Sequence, residues 1–332
     1  MADNLESDRL VVVFGGSGFV GRHVVRRFAN RGWRVRVACR RPDLAFFLQP
    51  LGRVGQVTAV QANVRYPDSV AQALRDADAV VNLVGVLAEG GRQSFEAVHA
   101  FGAGVIARAA AAAGIRNFVH VSAIGADAAS ASGYASTKAK GEAAVREAIP
   151  GAIVLRPSVM FGPDDDFFNR FAGMARFMPV LPIVGGDTKF QPVFVGDVAQ
   201  AVVKAVEGEA KAGATYEIGG PEVASFADLV GYCCKETERK RLVLPLGFAP
   251  GRVMALGMEI ANKVSFGIVP PMLTRDQCEM LRHDNVVSQA AENEGRTLKG
   301  LGIEPESFRA IVPSYLWRYR RAGQFDRDAT VS

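Results

Sequence analysis

Five consecutive apolar residues, Leu10–Phe14, run directly into a turn with glycine at Gly15, Gly18 and Gly21. An apolar run this short, rich in valine and stopped by glycine, reads as a buried strand. The residues that follow, to about Asn30, carry apolar side chains at helical spacing. A GxxGxxG turn between strand and helix lets the chain reverse tightly and an anion approach the backbone, where a side chain would block both. Free N–H groups and the helix dipole then favour a phosphate at the helix start. The stretch predicts a strand–turn–helix unit that cradles a phosphorylated ligand with Gly15, Ser17, Gly18, Phe19, Val20 and Gly21 around it.

The alternation continues. Apolar runs at 34–39, 57–61, 79–84, 117–122 and 153–156 predict further strands, and 94–113 and 134–147 predict helices. This succession is the pattern of an α/β fold with a doubly wound, parallel Rossmann-type sheet. After "LRPSVMFGP" the pattern loosens and proline, glycine and aromatic residues accumulate. A smaller C-terminal α+β lobe is expected there, with one return to the sheet at "FQPVFVGDVAQAVVKAV". The expected organisation is a dinucleotide-binding domain over 1–160 with a return at about 190–207, a substrate or partner lobe over 161–189 and 208–325, and a tail over 326–332. Both ends, before Arg9 and after about Gln324, are expected to fray.

A chain of 332 residues, 49% hydrophobic and 22% charged, is long enough for such a core and a second lobe. Its net charge of +5 is spread among acidic residues, with no basic stripe, so no nucleic-acid partner is expected. Cys39, Cys233, Cys234 and Cys278 lack CxxC spacing and nearby histidines. They read as reduced thiols, with no metal site. The start "MADNLESDRL" carries acids where an export signal needs basic and apolar residues, which points to a cytoplasmic protein. No run reaches the roughly 18 apolar residues needed to span a bilayer.

The second predicted strand ends in "VACRRP". NAD-binding folds place an acid there for the ribose 2′-hydroxyl, whereas Arg40 and Arg41 suit a 2′-phosphate. NADPH or NADP is therefore expected rather than NAD. The third strand ends in "QANV", with Asn63 placed to reach an adenine amino group and Val64 beside it; the fourth ends in "NLVG", bringing Leu83, Val84 and Gly85 to the carboxyl edge, where such sheets bind ligands. "YASTK" sets Tyr134 and Lys138 four apart, on one helix face. An ammonium beside a phenol favours the phenolate and fits it for proton transfer near neutral pH. Ser122, after Val121 at the end of the fifth strand, is placed to orient a carbonyl or alcohol. Alone, Tyr134 and Lys138 read equally well as packing and solvated residues; the strand-end serine gives the pair its meaning.

The glycine turn, "NLVG", Ser122, Tyr134, Lys138 and "RPSVMFGP" together resemble the short-chain dehydrogenase/reductase superfamily, in its extended or atypical branch, over about the first half of the chain. The resemblance implies that Tyr134 is proton donor or acceptor, that Lys138 holds the nicotinamide ribose, and that the backbone from Pro157 to Val159 faces the nicotinamide. Three departures stand out: Phe14 replaces a small residue, Asn63 replaces a common aspartate, and the short "AIGADAASASG" between Ser122 and Tyr134 argues against a bulky nucleotide-sugar site. "NLVGVL", "FEAVHAFGAGVIARAAAAAGIRNFVHVSAIGAD" and the stretch from "LRPSVMFGP" to "RDQCEMLRHDNVV" resemble a narrower group, the alpha-subcomplex subunit nine family of respiratory complex I. That resemblance implies a tightly held NADPH without turnover and complex I peripheral-arm subunits as partners.

In the second lobe, Val253, Leu256, Gly257, Ile260, Ala261 and Val264 repeat at helical spacing beside a narrow polar strip of Glu259, Asn262 and Lys263. A helix this apolar is either buried or rests on a partner or a membrane surface. "YLWRYRR" joins aromatic residues to arginines, a composition of interfaces and of the headgroup level. Peripheral contact through 252–266 and 315–321, on the cytoplasmic face of the inner membrane, is one expectation and internal packing the other. Two functions stay open: a non-catalytic NADP(H)-binding accessory or assembly subunit of NADH:quinone oxidoreductase, and an NADP-dependent reductase, epimerase or quinone-modifying enzyme using Ser122, Tyr134 and Lys138. A redox-sensing regulator is a third reading that the residues do not separate from the first.

Overall fold

The computed structural model describes residues 8–91, 93–265, 271–321 and 323. The expected tail at 326–332, the end of the apolar stretch at residue 266 and the extreme N-terminus lie outside these residues. The chain divides into two compact units, one comprising residues up to 157 with 195–218 and 288–304, the other 158–194, 219–287 and 305 onward.

The first unit is built on a parallel sheet of seven strands. Strands β1 (Leu10–Phe14), β2 (Arg34–Cys39), β3 (Val57–Gln61), β4 (Ala79–Asn82), β5 (Asn117–Val121) and β6 (Ile153–Pro157) are joined by Thr215–Ile218, in the order Thr215–Ile218, β6, β5, β4, β1, β2, β3. The Rossmann-type sheet read from the apolar alternation is thus observed. Strand order reverses at β1, where Phe14 lies opposite both Ala38 of β2 and Asn82 of β4. The turns after these three strands consequently open from one edge, the usual ligand crevice of such sheets.

Helices α1 (Phe19–Asn30), α2 (Pro67–Ala73), α3 (Gly102–Ala112) and α4 (Gly133–Ala148) and the helix Val195–Val206 accompany the sheet. Val12, Phe14, Ile106, Phe118, Val145 and Ile149 share one core with no more than a trace of exposure. Burial of each such side chain stabilises by about 1.5–3 kcal/mol. Glu142, buried on α4, accepts two bonds from the Arg156 guanidinium at 2.8 and 2.7 Å and fixes α4 to β6.

The helix expected over 94–113 is not uniform: a single π-helical turn, Glu96–Phe101, precedes α3. The His99 carbonyl presses onto α4 there, where a Cβ on Gly141 would stand 2.2 Å from it. The wider turn and the missing side chain together permit that approach.

Among the described residues the second unit has helices Phe168–Phe177, Phe226–Glu236 and Phe248–Val264 and three two-stranded ladders, of which Val180–Val184 with Leu242–Leu246 is the longest. Phe161, Phe168, Leu229, Cys233, Phe308, Val312 and Leu316 form a core. Within it Asp165 accepts the Tyr315 hydroxyl at 2.6 Å and the N–H groups of Gly162, Phe167 and Asn169. The four cysteines are free and buried.

The expectation that Phe248–Val264 packs internally is not met: Val253 is 72%, Ile260 52% and Val264 73% exposed, while Gly251 and Ala255 are the buried positions. In 315–321 much is internal instead. Tyr315 and Leu316 are buried, Arg318 donates to Pro163 and Asn169, and Arg320 lies beside Glu236 and Glu238. No helix among the described residues is long and apolar enough to cross a membrane.

Candidate functional site

The glycine turn leaves β1 with Gly15 at φ +79°, a left-handed conformation that L side chains disfavour. A Cβ on Gly15 would also stand 3.2 Å from the Leu83 backbone beyond β4, so the two turns touch. Gly21 is more constrained still, with Gly15 O 2.4 Å from where its Cβ would be. This seats the first turn of α1 directly on the loop. Gly18 is the N-cap of α1 and provides no side-chain cap, and the first turn carries no acid. The exposed helix start is therefore left as an anion site. Burial raises the Cys39 thiol at the end of β2, and the neighbouring Arg41 backbone and Ser17 side chain oppose the rise. Phe19 and Val20 are half-buried, and Phe19 meets His23 edge-on at 6.0 Å.

At the end of β2 the two arginines differ. Arg41 grips Asp43 through Nε and Nη2, the latter at 2.6 Å. That pairing raises Arg41 and holds Asp43 below the usual carboxylate range. Arg40 is exposed, has no hydrogen bond or ion pair among the described residues, and is the free guanidinium of the pair. Asn63 uses Oδ1 to accept the Arg65 N–H at 3.1 Å in a local turn, so one of its lone pairs is taken. Val64 is spent on packing: its side chain lies where a Cβ on Gly102 would come within 2.9 Å.

Around the strand-end turn after β4, Asn82 Oδ1 accepts the Val84 N–H at 3.0 Å while Nδ2 faces His120 Nδ1 at 3.1 Å. Lys138 comes up from α4 beneath the same turn. Its Nζ is 3.2 Å from where a Cβ on Gly85 would sit and donates to Val121 O at 3.4 Å. Burial lowers Lys138 from 10.5 to about 8, with Glu142 opposing the fall. Its ammonium stands 5.9 Å from the Tyr134 ring centre. Ser122 is 4% exposed, and its Oγ has no hydrogen-bond partner among the described residues.

A nicotinamide dinucleotide fits these residues. The glycine cradle and free helix start suit a pyrophosphate, the half-satisfied buried ammonium suits ribose hydroxyls, and the orphaned Ser122 hydroxyl needs a polar partner. Pro157 ends β6, where its carbonyl accepts the Ile124 N–H at 3.0 Å. Val159 falls in the second unit and donates its N–H to Asn285 Oδ1 at 3.0 Å.

Three residues of this site escaped the sequence reading. His99 and His120 are both buried, and desolvation first, then the Lys138 charge, brings each to about 3, so both imidazoles are neutral. Phe95 stacks on His99 at 5.4 Å and meets Tyr134 edge-on at 5.8 Å. Histidine in an otherwise apolar helix and mid-strand was the available signal.

Fold and site define a nicotinamide-nucleotide-binding protein, and the sequence agrees: residues 11–219 match the NAD dependent epimerase/dehydratase family, and the chain belongs to it. Over 320 residues it is 32% identical to NADH dehydrogenase (ubiquinone) 1 alpha subcomplex subunit 9 of Arabidopsis thaliana, spanning 95% of this chain and 79% of that one. The NADH-ubiquinone oxidoreductase 40 kDa subunit of Neurospora crassa is 31% identical over 95% of this chain and 80% of its own. A ceramide reductase of Caulobacter vibrioides is 34% identical over 58% of this chain and 60% of its own. Among solved structures, a dTDP-glucose 4,6-dehydratase from Streptomyces venezuelae superimposes with TM-score 0.69 at 20% identity, covering 93% of this chain and 96% of that one. At that identity the likeness is one of fold.

Proposed function

We propose that this chain is an NADP(H)-binding accessory subunit of an NADH:quinone oxidoreductase, in which the nucleotide stabilises the fold and is not turned over. What carries the reading is the identity of 32% and 31% to named subunits of that complex, sustained along 95% of the chain. The free Arg40, with no acid at the end of β2, supports NADP(H) over NAD(H). Gly15, Ser17, Gly18, Phe19, Val20 and Gly21 would surround the pyrophosphate, Asn63 and Val64 the adenine, and Leu83, Val84, Gly85, Val121 and Pro157 the nicotinamide half. Lys138 would hold the nicotinamide ribose. The nucleotide, present at a hundred times its Kd, would add ~2.7 kcal/mol to stability.

The partners would be peripheral-arm subunits, with the exposed apolar face of Phe248–Val264 resting on them or on the cytoplasmic surface of the inner membrane. In 315–321, exposed Trp317 and Arg321 remain for such contact. Native gel electrophoresis of solubilised membranes, with this chain followed by mass spectrometry, tests the assignment. Comigration with the oxidoreductase and copurification of NADPH are expected; a small soluble species refutes it.

A second reading is favoured by one observation, the coexistence of an unpartnered Ser122 hydroxyl with Tyr134 and a Lys138 lowered to about 8. There Tyr134 would exchange a proton with a substrate oxygen that Ser122 orients, as a reductase requires. A Tyr134→Phe chain that fully restores a deletion strain excludes this alternative.

A further inference from the structure

Elements that are distant in sequence converge on the imidazole of His99. It is 2% exposed and sits in the π-helical turn Glu96–Phe101. Its Nε2 lies 3.0 Å from the Val86 backbone N–H, which can only donate. Nε2 is therefore the unprotonated nitrogen, and the proton is on Nδ1. Nδ1 faces Thr137 Oγ1 at 3.2 Å, and that hydroxyl donates onward to Gly133 O at 2.7 Å. The chain of donors thus runs from the turn after β4, through His99, into the first turn of α4.

The ring is also a wall. Phe95 stacks on one side at 5.4 Å, and Tyr134 meets it edge-on at 5.2 Å with the planes 85° apart. A Cβ on Gly85 would stand 3.2 Å from Lys138 Nζ and 3.7 Å from His99 Nε2, so the imidazole and the ammonium flank one peptide.

We propose that His99 is the positioning residue of the nicotinamide end of the site: it fixes the Val84–Val86 peptides against α4 and sets the Tyr134 ring relative to Lys138. A buried imidazole has to satisfy its nitrogens somewhere, and what matters is where these two are satisfied. Here both nitrogens are used, each by a different wall of the site. Among the described residues neither Gly18 nor Arg40, at the adenosine end, makes a hydrogen bond or ring contact with His99, so the affinity of that end should be independent of His99.

This inference rests on the nucleotide-binding reading, and the experiment separates the two. Calorimetric titrations of the full chain use NADPH, which spans both ends, and 2′,5′-ADP, which carries only the adenosine end. His99→Phe keeps an aromatic ring and loses both bonds; His99→Gln keeps one acceptor and one donor; Thr137→Val removes the receiving hydroxyl alone. His99→Phe is expected to weaken NADPH about tenfold, on the scale of a lost buried hydrogen bond, and to leave 2′,5′-ADP unchanged. His99→Gln recovers most of the loss, and Thr137→Val shows a smaller NADPH-selective loss. Equal affinities in His99→Phe and the unaltered chain overturn the proposal, as do parallel losses of both ligands. If His99→Phe does not fold, Thr137→Val decides, and a Thr137→Val chain with unaltered NADPH affinity overturns it. An unaltered chain that binds neither ligand overturns the nucleotide reading itself.

Discussion

Replacing Lys138 by Met should make the nucleotide-free protein more stable at neutral pH while destroying its site. Lys138 is 6% exposed, and its descent from 10.5 to about 8 records the cost of keeping an ammonium out of water. At ~1.4 kcal/mol per tenfold change in proton affinity, that cost is ~3 kcal/mol. Methionine fills similar volume without charge but leaves the Val121 carbonyl without its long bond, which returns ~1 kcal/mol. The net gain of ~2 kcal/mol corresponds to roughly 4–8 °C in melting temperature for a cooperative unit of this size. The pH dependence follows from linkage. Between pH 8 and 10.5 the unfolded chain binds the lysine proton and the folded chain does not, so unaltered protein gains stability as pH rises through that window. The advantage of Lys138→Met should thus be full below pH 8 and fade above it. Saturating NADPH should reverse the order, since only the unaltered chain binds it. Thermal unfolding followed by circular dichroism at pH 7 and near pH 9.5, with and without NADPH, reads all three effects. A variant less stable at pH 7, or an advantage that does not change with pH, refutes the account of a desolvated ammonium.

Other perturbations are equally specific. Arg40→Glu should weaken NADPH by about 10- to 100-fold and leave NADH unaffected, whereas Arg41→Ala, already engaged by Asp43, should change either by less than about threefold; calorimetry with both nucleotides checks this. Gly21→Ala places a methyl group 2.4 Å from Gly15 O and should abolish NADPH binding and cost ~3 kcal/mol or more, while Gly18→Ala, whose nearest such neighbour is 3.3 Å away, should cost under about 1 kcal/mol in urea unfolding. Tyr315→Phe removes the 2.6 Å bond to buried Asp165 and should destabilise the second unit by ~1–3 kcal/mol without changing NADPH affinity.

The sheet was legible because its strands are short, valine-rich segments with abrupt ends: β1 is wholly apolar, β2 alternates arginine with valine before Ala38 and Cys39, and β3 sets Val57, Ala59 and Val60 among polar residues, each at the position the sequence marked. The glycine turn was legible for the same local reason, since its conformation at Gly15 is a demand on one residue. The π-helical turn was not. It differs from an α-turn by one hydrogen-bond register, and what selects it is the approach of His99 to Gly141, far apart in sequence. The tautomer of His99 likewise depends on Val86 and Thr137, which share no pattern with it. The division of labour between Arg40 and Arg41 lay within reach, because Asp43 follows two residues after Arg41 and can be paired locally. The face of Phe248–Val264 was read as apolar, but whether other side chains cover it is decided by packing that no helical period encodes.

The first unit is closed by residues that the ribosome delivers long after its glycine turn and its Tyr134–Lys138 pair. Its seventh strand, Thr215–Ile218, is stapled by later residues: Arg296 donates to Thr215 O at 2.6 Å, Glu217 N–H reaches Arg296 O, and Ser288 N–H binds Glu217 at 2.7 Å. During synthesis, the edge of β6 therefore waits bare until Thr215–Ile218 has emerged, and that strand in turn stays unstapled until Arg296 follows, an open edge that invites mispairing. Any nonsense change before Arg296 should accordingly yield a nucleotide-binding unit that aggregates or is degraded, even though every glycine and the Tyr134–Lys138 pair have already been made.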